Sequence, residues 1–518
     1  MHEENKGVVY LIGAGPGDPG LITVKGLSIL NRCDAVVYDN LIPSELIVTL
    51  PSNVEKYYVG KKAGDHFRTQ DEINQLMVEL AGEGKIVARL KGSDPLIFGR
   101  GGEEARYLRE HNIDFEIVPG VTSGIAAPAY CGIPCTDREL ASFVLFVTGH
   151  KAMDKEVSSV PWEWVANAKG GTIVIYMGVS EFEKIAAKLI ESGMPSSTPA
   201  AVIERGTFPS QRCLTSTLSD LPVKIKEQNI SPPALFILGE VIKLQPWLDW
   251  FRNRPLLGIR VMVTRASEQA GKFYEDLRGL GAEVLPYPSI AIEENIDNAA
   301  WDIFKDIKTD KNNWLVFTSE NGVRYFMKQF LERFGDMRKL SCFSIAVIGE
   351  GTSRELGKHS LMADFIPENA TVNELADEMK EKLDLSDATI IRIRGTMSNN
   401  IIENLIGGMG AEIIPLTVYS TYYPKWAGGL KEKLFDYPPN AIVFTSGSTV
   451  EGLSENLSSD EIKSIVLNAD IFSIGPSTTA VLNDAGINVS AEAKPHNLKA
   501  LADLLIDFYK AKQTGRTK

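Results

Sequence analysis

Residues 258 to 512 state one pattern twice, and no other feature restricts the fold as tightly. Gly281-Ala282-Glu283-Val284-Leu285-Pro286 returns as Gly410-Ala411-Glu412-Ile413-Ile414-Pro415, and Val316-Phe317-Thr318-Ser319 returns as Val443-Phe444-Thr445-Ser446. Ile348-Gly349 with Thr352 returns as Ile474-Gly475 with Thr478. The separations are 129, 127 and 126 residues (281 to 410, 316 to 443, 348 to 474), too uniform for chance and longer than the roughly 20–50 residues of a solenoid repeat. A duplicated α/β unit with two lobes is predicted. Each recurring tip lies where an apolar strand ends in Thr-Ser or Gly before a helix, at the carboxyl edge where open parallel sheets bind ligands. Two such edges facing each other make a cleft of hydroxyls and helix N-termini suited to carboxylates. The plainer alternative is that each Thr-Ser pair merely caps a helix.

The first half carries a different signal. Val8-Val9-Tyr10-Leu11-Ile12 is a short buried strand, Gly13-Ala14-Gly15-Pro16-Gly17-Asp18-Pro19-Gly20 a loop, and Leu21 to Leu30 has helical periodicity. The dinucleotide fingerprint requires a third glycine and free N–H groups facing a pyrophosphate. Here Asp18 takes the glycine's place, and Pro16 and Pro19 each remove a donor. An acid there repels a pyrophosphate but tolerates a ligand bearing a sulfonium and an amino group. A tight turn without a ligand is the alternative.

Composition narrows the classes. The chain has 518 residues, 44% hydrophobic and 23% charged, the profile of several globular α/β domains. No apolar run reaches membrane-spanning length and the N-terminus lacks a signal-peptide pattern, so a cytoplasmic location without membrane attachment is expected. The net charge of −13 argues against nucleic acid as a partner. Five cysteines (Cys33, Cys131, Cys135, Cys213, Cys342) form no metal framework, and Cys131 and Cys135 read as buried thiols. The strand-helix alternation breaks near residues 245 to 258, so two modules meet at about residue 255.

Further loop clusters punctuate the first module: Tyr38-Asp39-Asn40-Leu41, Val59 to Gly64, Leu90 to Glu104, Val118 to Ser123, Gly132 to Arg138, Tyr176-Met177-Gly178 and Ile203 to Thr207. With Gly-Ala-Gly-Pro-Gly-Asp-Pro and Phe98-Gly99-Arg100-Gly101-Gly102-Glu103-Glu104, residues 7 to 251 resemble uroporphyrinogen-III C-methyltransferase. The resemblance implies a two-domain tetrapyrrole methylase fold, methyl transfer from S-adenosylmethionine, and a homodimer. It also implies that Pro16, Gly92, Ser93, Asp94, Ile97, Thr122, Ser123, Met177 and Gly206 surround the cofactor. Asp39 would be the proton acceptor and Lys61 the donor, with Arg100, Glu103 and Arg138 at the tetrapyrrole. These types suit the chemistry: aligned attack on a methyl group needs positioning, proton loss needs a base, and arginines grip carboxylates bidentately. Ser93 stands where the family usually has glycine, and its side chain is expected to narrow the cofactor's approach. Asp137 stands where His is more usual, and a pair with Arg138 is expected.

Residues 258 to 512 contain two histidines and one cysteine, which leaves a nucleophile-and-base mechanism little to work with. Val263-Thr264-Arg265, Phe317 to Val323, Val418-Tyr419-Ser420-Thr421 and Ser473 to Thr478 resemble uroporphyrinogen-III synthase. That implies a two-lobed, duplicated flavodoxin-like α/β fold, with each lobe borrowing chain from both repeats through two crossing strands. It further implies cyclisation of hydroxymethylbilane with inversion of ring D, controlled by conformation. Tyr419 is the candidate for assisting the leaving hydroxyl. Arg265, Thr318, Ser319, Thr445, Ser446, Ser477 and Thr478 are the candidates for holding substrate; for Tyr419 a half-buried strand aromatic is the alternative. The expected layout is a methyltransferase over 1–250 (subdomains about 7–118 and 119–250), a linker at 251–257, a synthase over 258–512 and a tail at 513–518. Two other readings stand beside it: a methyltransferase for a later corrinoid intermediate, and a second module that only senses tetrapyrrole. Neither NAD nor iron is expected, and siroheme or cobalamin is the branch served.

Overall fold

A computed structural model describes residues 7–515, except 52, 61–68, 150–159, 308–311, 370, 399, 408–409 and 427–428. Its strands are β1 (Val8–Gly13), β2 (Ala35–Tyr38), β3 (Glu55–Tyr58), β4 (Ile86–Lys91) and β5 (Asp114–Val118), then β6 (Phe143–Thr148), β7 (Gly171–Tyr176), β8 (Pro199–Glu204), β9 (Arg212–Thr217) and β10 (Ala234–Leu238). There follow β11 (Arg260–Val263), β12 (Glu283–Pro286), β13 (Ala291–Glu294), β14 (Asn313–Phe317), β15 (Phe343–Val347), β16 (Thr389–Gly395), β17 (Glu412–Tyr422), β18 (Ala441–Phe444), β19 (Asp470–Ser473) and β20 (Ala491–Glu492). They form four five-stranded sheets. Contacts divide the chain into two compact units: Met1–Ser289 with Lys425–Lys518, and Ile290–Pro424.

The first sheet is wholly parallel, in the order β3-β2-β4-β1-β5. Its central strands are largely apolar, as a sheet covered on both faces requires, with Arg89 and Lys91 of β4 the exceptions. The chain leaves β1 toward β2 on one side and β4 toward β5 on the other, so the topological switch point lies between the carboxyl ends of β1 and β4. The helix expected from Leu21 begins at Val24, because the Thr23 hydroxyl accepts from Gly26 N and caps it there; Pro19–Leu21 forms a separate 3-10 turn. The second sheet, β6-β7-β10-β8-β9, is mixed, with β10 antiparallel to both neighbours. Its core includes Phe182 stacked on Phe236, ring centroids 3.9 Å apart.

The third sheet, also in the first unit, runs β12-β11-β18-β19-β20, all parallel, the 2-1-3-4-5 order of flavodoxin-like folds. Leu256, within the expected linker, is fully buried in its core. The second unit holds β13-β17-β16-β14-β15, parallel except for β13, which is antiparallel to β17 at the edge. Matching the repeats shows β12-β11-β18-β19 to be the counterpart of β17-β16-β14-β15. Each sheet therefore pairs the first half of one repeat with the second half of the other. Within the second unit the buried Gln329 amide donates to Asn295 O and Val418 O, and its carbonyl accepts from Trp301 Nε1. These bonds pin β17 to the helix Glu320–Phe334.

Candidate functional site

At the switch point the tips of β1, β4 and β5 converge. Gly13 and Gly120 lie so close that a Cβ on Gly13 would stand 2.5 Å from Gly120 backbone atoms, so neither position admits a side chain. Gly15 and Ser93 form a short antiparallel bridge, Ser93 N donating to Gly15 O at 2.7 Å. Ser93 adopts φ +67°, a left-handed conformation that glycine takes freely and serine does not. Its hydroxyl offsets that strain by accepting from Ser123 N at 2.7 Å. The side chain expected to crowd a ligand thus points to the start of the helix Ser123–Tyr130.

Neighbouring polar groups hold the loops in place. Asp94 Oδ1 accepts from Leu96 N and Ile97 N, and Oδ2 accepts from Gly120 N at 3.0 Å, joining the β4 and β5 loops. Buried Thr122 hydrogen-bonds to Tyr176 OH at 2.8 Å, and Tyr176 OH accepts from Gly124 N. Asp18 also has a structural role: Oδ1 accepts from Gly20 N and Oδ2 from Tyr130 OH at 2.7 Å, while its N–H donates to Thr207 Oγ1. Its carboxylate thereby clamps the loop to the helix Ser123–Tyr130. Pro16, Gly92, Ser93 and Ser123 line one cavity of about 230 Å³. Met177 (φ +54°, half-exposed) and Gly206 lie in the loops after β7 and β8, and Ile97 is partly buried. None of these three, nor Asp94 or Thr122, lines that cavity.

Asp39 follows β2. Its Oδ1 accepts from Leu41 N at 3.0 Å, and Oδ2 lies 3.6 Å from Arg89. Beneath it is a buried cluster that sequence reading missed. Glu104 Oε1 accepts from Lys91 Nζ at 2.8 Å, Arg89 Nε at 3.2 Å and Gln70 Nε2 at 3.1 Å. Burial pushes the Lys91 ammonium below its usual pKa, and the Arg89 charge adds to that. Two basic residues at alternate positions of the otherwise apolar strand Ile86–Lys91 were the available signal.

The three tetrapyrrole candidates are at the surface. Arg100 (φ +61°) precedes the helix Gly101–Glu110 and pairs with Glu103 at 2.7 Å, both side chains more than half exposed. Arg138 is exposed. The expected pair with Asp137 does not form: Asp137 Oδ1 accepts from Glu139 N and Leu140 N instead, and no Asp137–Arg138 ion pair occurs among the described residues. Lys61 lies outside the described residues.

In the second unit, Tyr419 OH lies 3.2 Å from Ser319 Oγ, which also accepts from Gly322 N at the start of the helix Glu320–Phe334. The contact needs Gly395, where a Cβ would meet the Tyr419 ring at 2.3 Å. Thr318 adjoins Ser319 and is partly buried. In the first unit, Ser446 begins the short helix Gly447–Glu451 and bonds Ser448 Oγ, Thr445 is buried beside it, and Arg265 Nε donates to Gln269 O. Ser477 is exposed; Thr478, only 1% exposed, is packed into the start of its helix and presents no open hydroxyl.

Comparison with known proteins identifies the two halves of the chain. The family model Tetrapyrrole (Corrin/Porphyrin) Methylases matches residues 8–222, and Uroporphyrinogen-III synthase HemD matches residues 271–503. A porphyrin biosynthesis protein HemD from Ruminiclostridium josui is 37% identical over 89% of this chain and 90% of its own length. The chain belongs to the tetrapyrrole methylases fused to uroporphyrinogen-III synthase. A uroporphyrinogen-III C-methyltransferase from Bacillus subtilis is 38% identical over 70% of this chain and 73% of its own. An S-adenosyl-L-methionine-dependent uroporphyrinogen III methyltransferase from Methanosarcina barkeri is 48% identical over 46% of this chain and 94% of its own. Both modules are of enzyme families, so the chain is a bifunctional enzyme of tetrapyrrole biosynthesis. No helix among the described residues is long and apolar enough to cross a membrane.

Proposed function

We propose that the chain closes hydroxymethylbilane to uroporphyrinogen III with inversion of ring D, and then methylates that product twice to precorrin-2. The observation that carries the reading is the presence on one polypeptide of both family matches, since the product named by one is the substrate named by the other. The proposed modules are 1–250 and 258–512, acting as a cytoplasmic homodimer through the first.

The switch-point cavity suits S-adenosylmethionine as methyl donor. Gly92 on its wall brings no side chain into it, and Leu41, Ile42 and Phe208 supply apolar surface. S-adenosylmethionine supplies an electrophilic methyl group on a sulfonium. Pro16, Gly92, Ser93 and Ser123 form the wall that would hold it, with Asp94 and Thr122 fixing the wall and Met177, Ile97 and Gly206 at its margin. Asp39, oriented by Leu41 N and facing Arg89, takes the ring proton lost after methylation. Lys61 returns a proton, and Arg100, Glu103 and Arg138 meet the tetrapyrrole's polar rim. In the synthase, Tyr419 and Ser319 assist the departing hydroxyl; Arg265, Thr318, Thr445, Ser446 and Ser477 hold carboxylates.

Incubating the full chain with hydroxymethylbilane and methyl-labelled S-adenosylmethionine should give a dimethylated type III chromophore. Recovery of the type I isomer alone, without label, overturns the reading. Light scattering should give twice the mass of 56.9 kDa, and a monomer mass removes the homodimer.

A further inference from the structure

The cavity at the switch point is walled by both modules. Lining it together with Asn40, Gly92 and Ser93 are Arg278, Glu283 and Lys433, from the half of the chain that matches the synthase. Most of its charges pair off. Arg205 reaches Glu283 at 3.0 Å and Arg278 reaches Glu45 at 3.4 Å, while Arg254, which has no ion pair among the described residues, donates to Arg278 O and lies over the Trp250 and Phe251 rings, 5.0 Å from each centroid. Lys433, on the helix Leu430–Asp436, differs: its Nζ donates to the carbonyl of Ile42 at 2.9 Å, and among the described residues no carboxylate lies within ion-pair distance. Two of its three N–H bonds remain available.

Ile42 belongs to the segment that begins at Asp39, the candidate base. Burial lowers the Lys433 pKa to about 8; Arg205 acts in the same direction, and Asp39 and Glu283 oppose it. Among the described residues Lys433 is the one cation of this cavity with neither a carboxylate nor a ring face beside it, and a half-buried ammonium bonded only to a backbone carbonyl is poised for an anion.

We propose that Lys433, carried by the synthase module, holds a carboxylate of the tetrapyrrole at the methyl-transfer site, so that one module completes the substrate site of the other. The inference rests on the reading given under Proposed function. It makes Lys433 a specificity-determining residue supplied from 391 residues along the chain from the carbonyl it touches.

The test uses the full chain with Lys433→Met and Lys433→Arg. Methyl transfer to uroporphyrinogen III and cyclisation of hydroxymethylbilane are measured separately. K433M should raise KM for uroporphyrinogen III by roughly 10- to 100-fold, the loss of one charge-assisted hydrogen bond. KM for S-adenosylmethionine and the cyclisation rate should stay unchanged, and K433R should recover most of the loss. In the unsubstituted enzyme kcat/KM should fall above about pH 8 as Lys433 loses its proton, and K433R should carry the plateau to higher pH. An unchanged KM in K433M overturns the inference. So does a parallel loss of cofactor affinity and cyclisation, which would mark Lys433 as a docking contact only. An unsubstituted chain that transfers no methyl group to uroporphyrinogen III overturns the functional reading, and the inference with it.

Discussion

Glu104 is the residue whose loss the structure prices most directly. It is fully buried, and one oxygen serves Lys91, Arg89 and Gln70. Breaking a buried ion pair by removing one partner costs about 3–5 kcal/mol, because the other charge stays behind without compensation. In Glu104→Ala two cations are stranded, and they respond differently. Arg89 retains Val37 O, Leu90 O and the Asp39 carboxylate at 3.6 Å. Lys91 can shed its proton, and burial already lowers its pKa. These escapes place the cost near the lower bound, about 3 kcal/mol, and Glu104→Gln, which keeps one acceptor, at about half of that. In a chain of several domains a single unfolding free energy is poorly defined, so amide hydrogen exchange in β1, β2 and β4 is the suitable assay. A loss of about 3 kcal/mol speeds exchange limited by opening of that sheet by roughly 150-fold. The sign with pH follows from linkage. With the folded pKa of Lys91 depressed, the unfolded chain binds more protons above it, so stability rises as pH climbs toward the ordinary lysine value. The E104A deficit should therefore shrink between neutral pH and pH ~9.5. An acceleration under tenfold, or a deficit that grows with pH, refutes the reasoning.

Glu45 is pushed up to about 7, chiefly by burial. As its folded pKa is raised, the fold holds the extra proton and loses stability as pH rises from the unfolded value to about 7. Glu45→Gln should accordingly raise thermal stability at pH ~8 and change little at pH ~5; equal shifts at both pH values would exclude that account. Tyr419→Phe should slow cyclisation by roughly 10²-fold and raise the share of type I product, with methyl transfer intact; an unaltered isomer ratio would reduce Tyr419 to a strand aromatic. Ser93→Ala keeps the left-handed strain and loses the bond to Ser123 N, whereas Ser93→Gly loses the bond and the strain together. S93G should therefore be the more stable by about 1–2 kcal/mol in thermal melts, and the reverse order would show that φ +67° carries no cost there.

The strand-loop-helix around Gly13 was legible because it is local: an apolar run, a glycine-proline loop and a helical period lie within one stretch. Even there, the role of Asp18 depended on Tyr130, a residue 112 positions away. The Glu104 cluster was half legible, since Arg89 and Lys91 interrupt an apolar strand, but their shared partner lies on a helix that also carries Glu103 and Glu110. Arg100 and Glu103 were singled out by the motif they belong to, and neither their mutual pairing nor their exposure was legible there. Nothing in the sequence near Lys433 marks it, because its setting is made by Ile42 and Asp39 from the other half of the chain.

By itself the sequence determined that the second half is built from one α/β unit used twice, with hydroxyl-bearing tips at strand ends. Periodicity and repetition are properties of the chain and survive without a fold. It did not determine which half-repeats share a sheet. Two similar repeats offer similar strand edges, so β11-β12 can be completed by either copy of the partner pair at nearly the same local energy, the ambiguity that underlies domain swapping. Resemblance to a family, and no feature of the repeats, led to the expectation of an exchange. Tertiary structure resolved it: β12-β11 joins β18-β19, β16-β17 joins β14, and β13 closes against β17. The wall that Lys433 contributes to the first module's cavity is a consequence of that choice, since it places the helix Leu430–Asp436 on the sheet of β11 and β12.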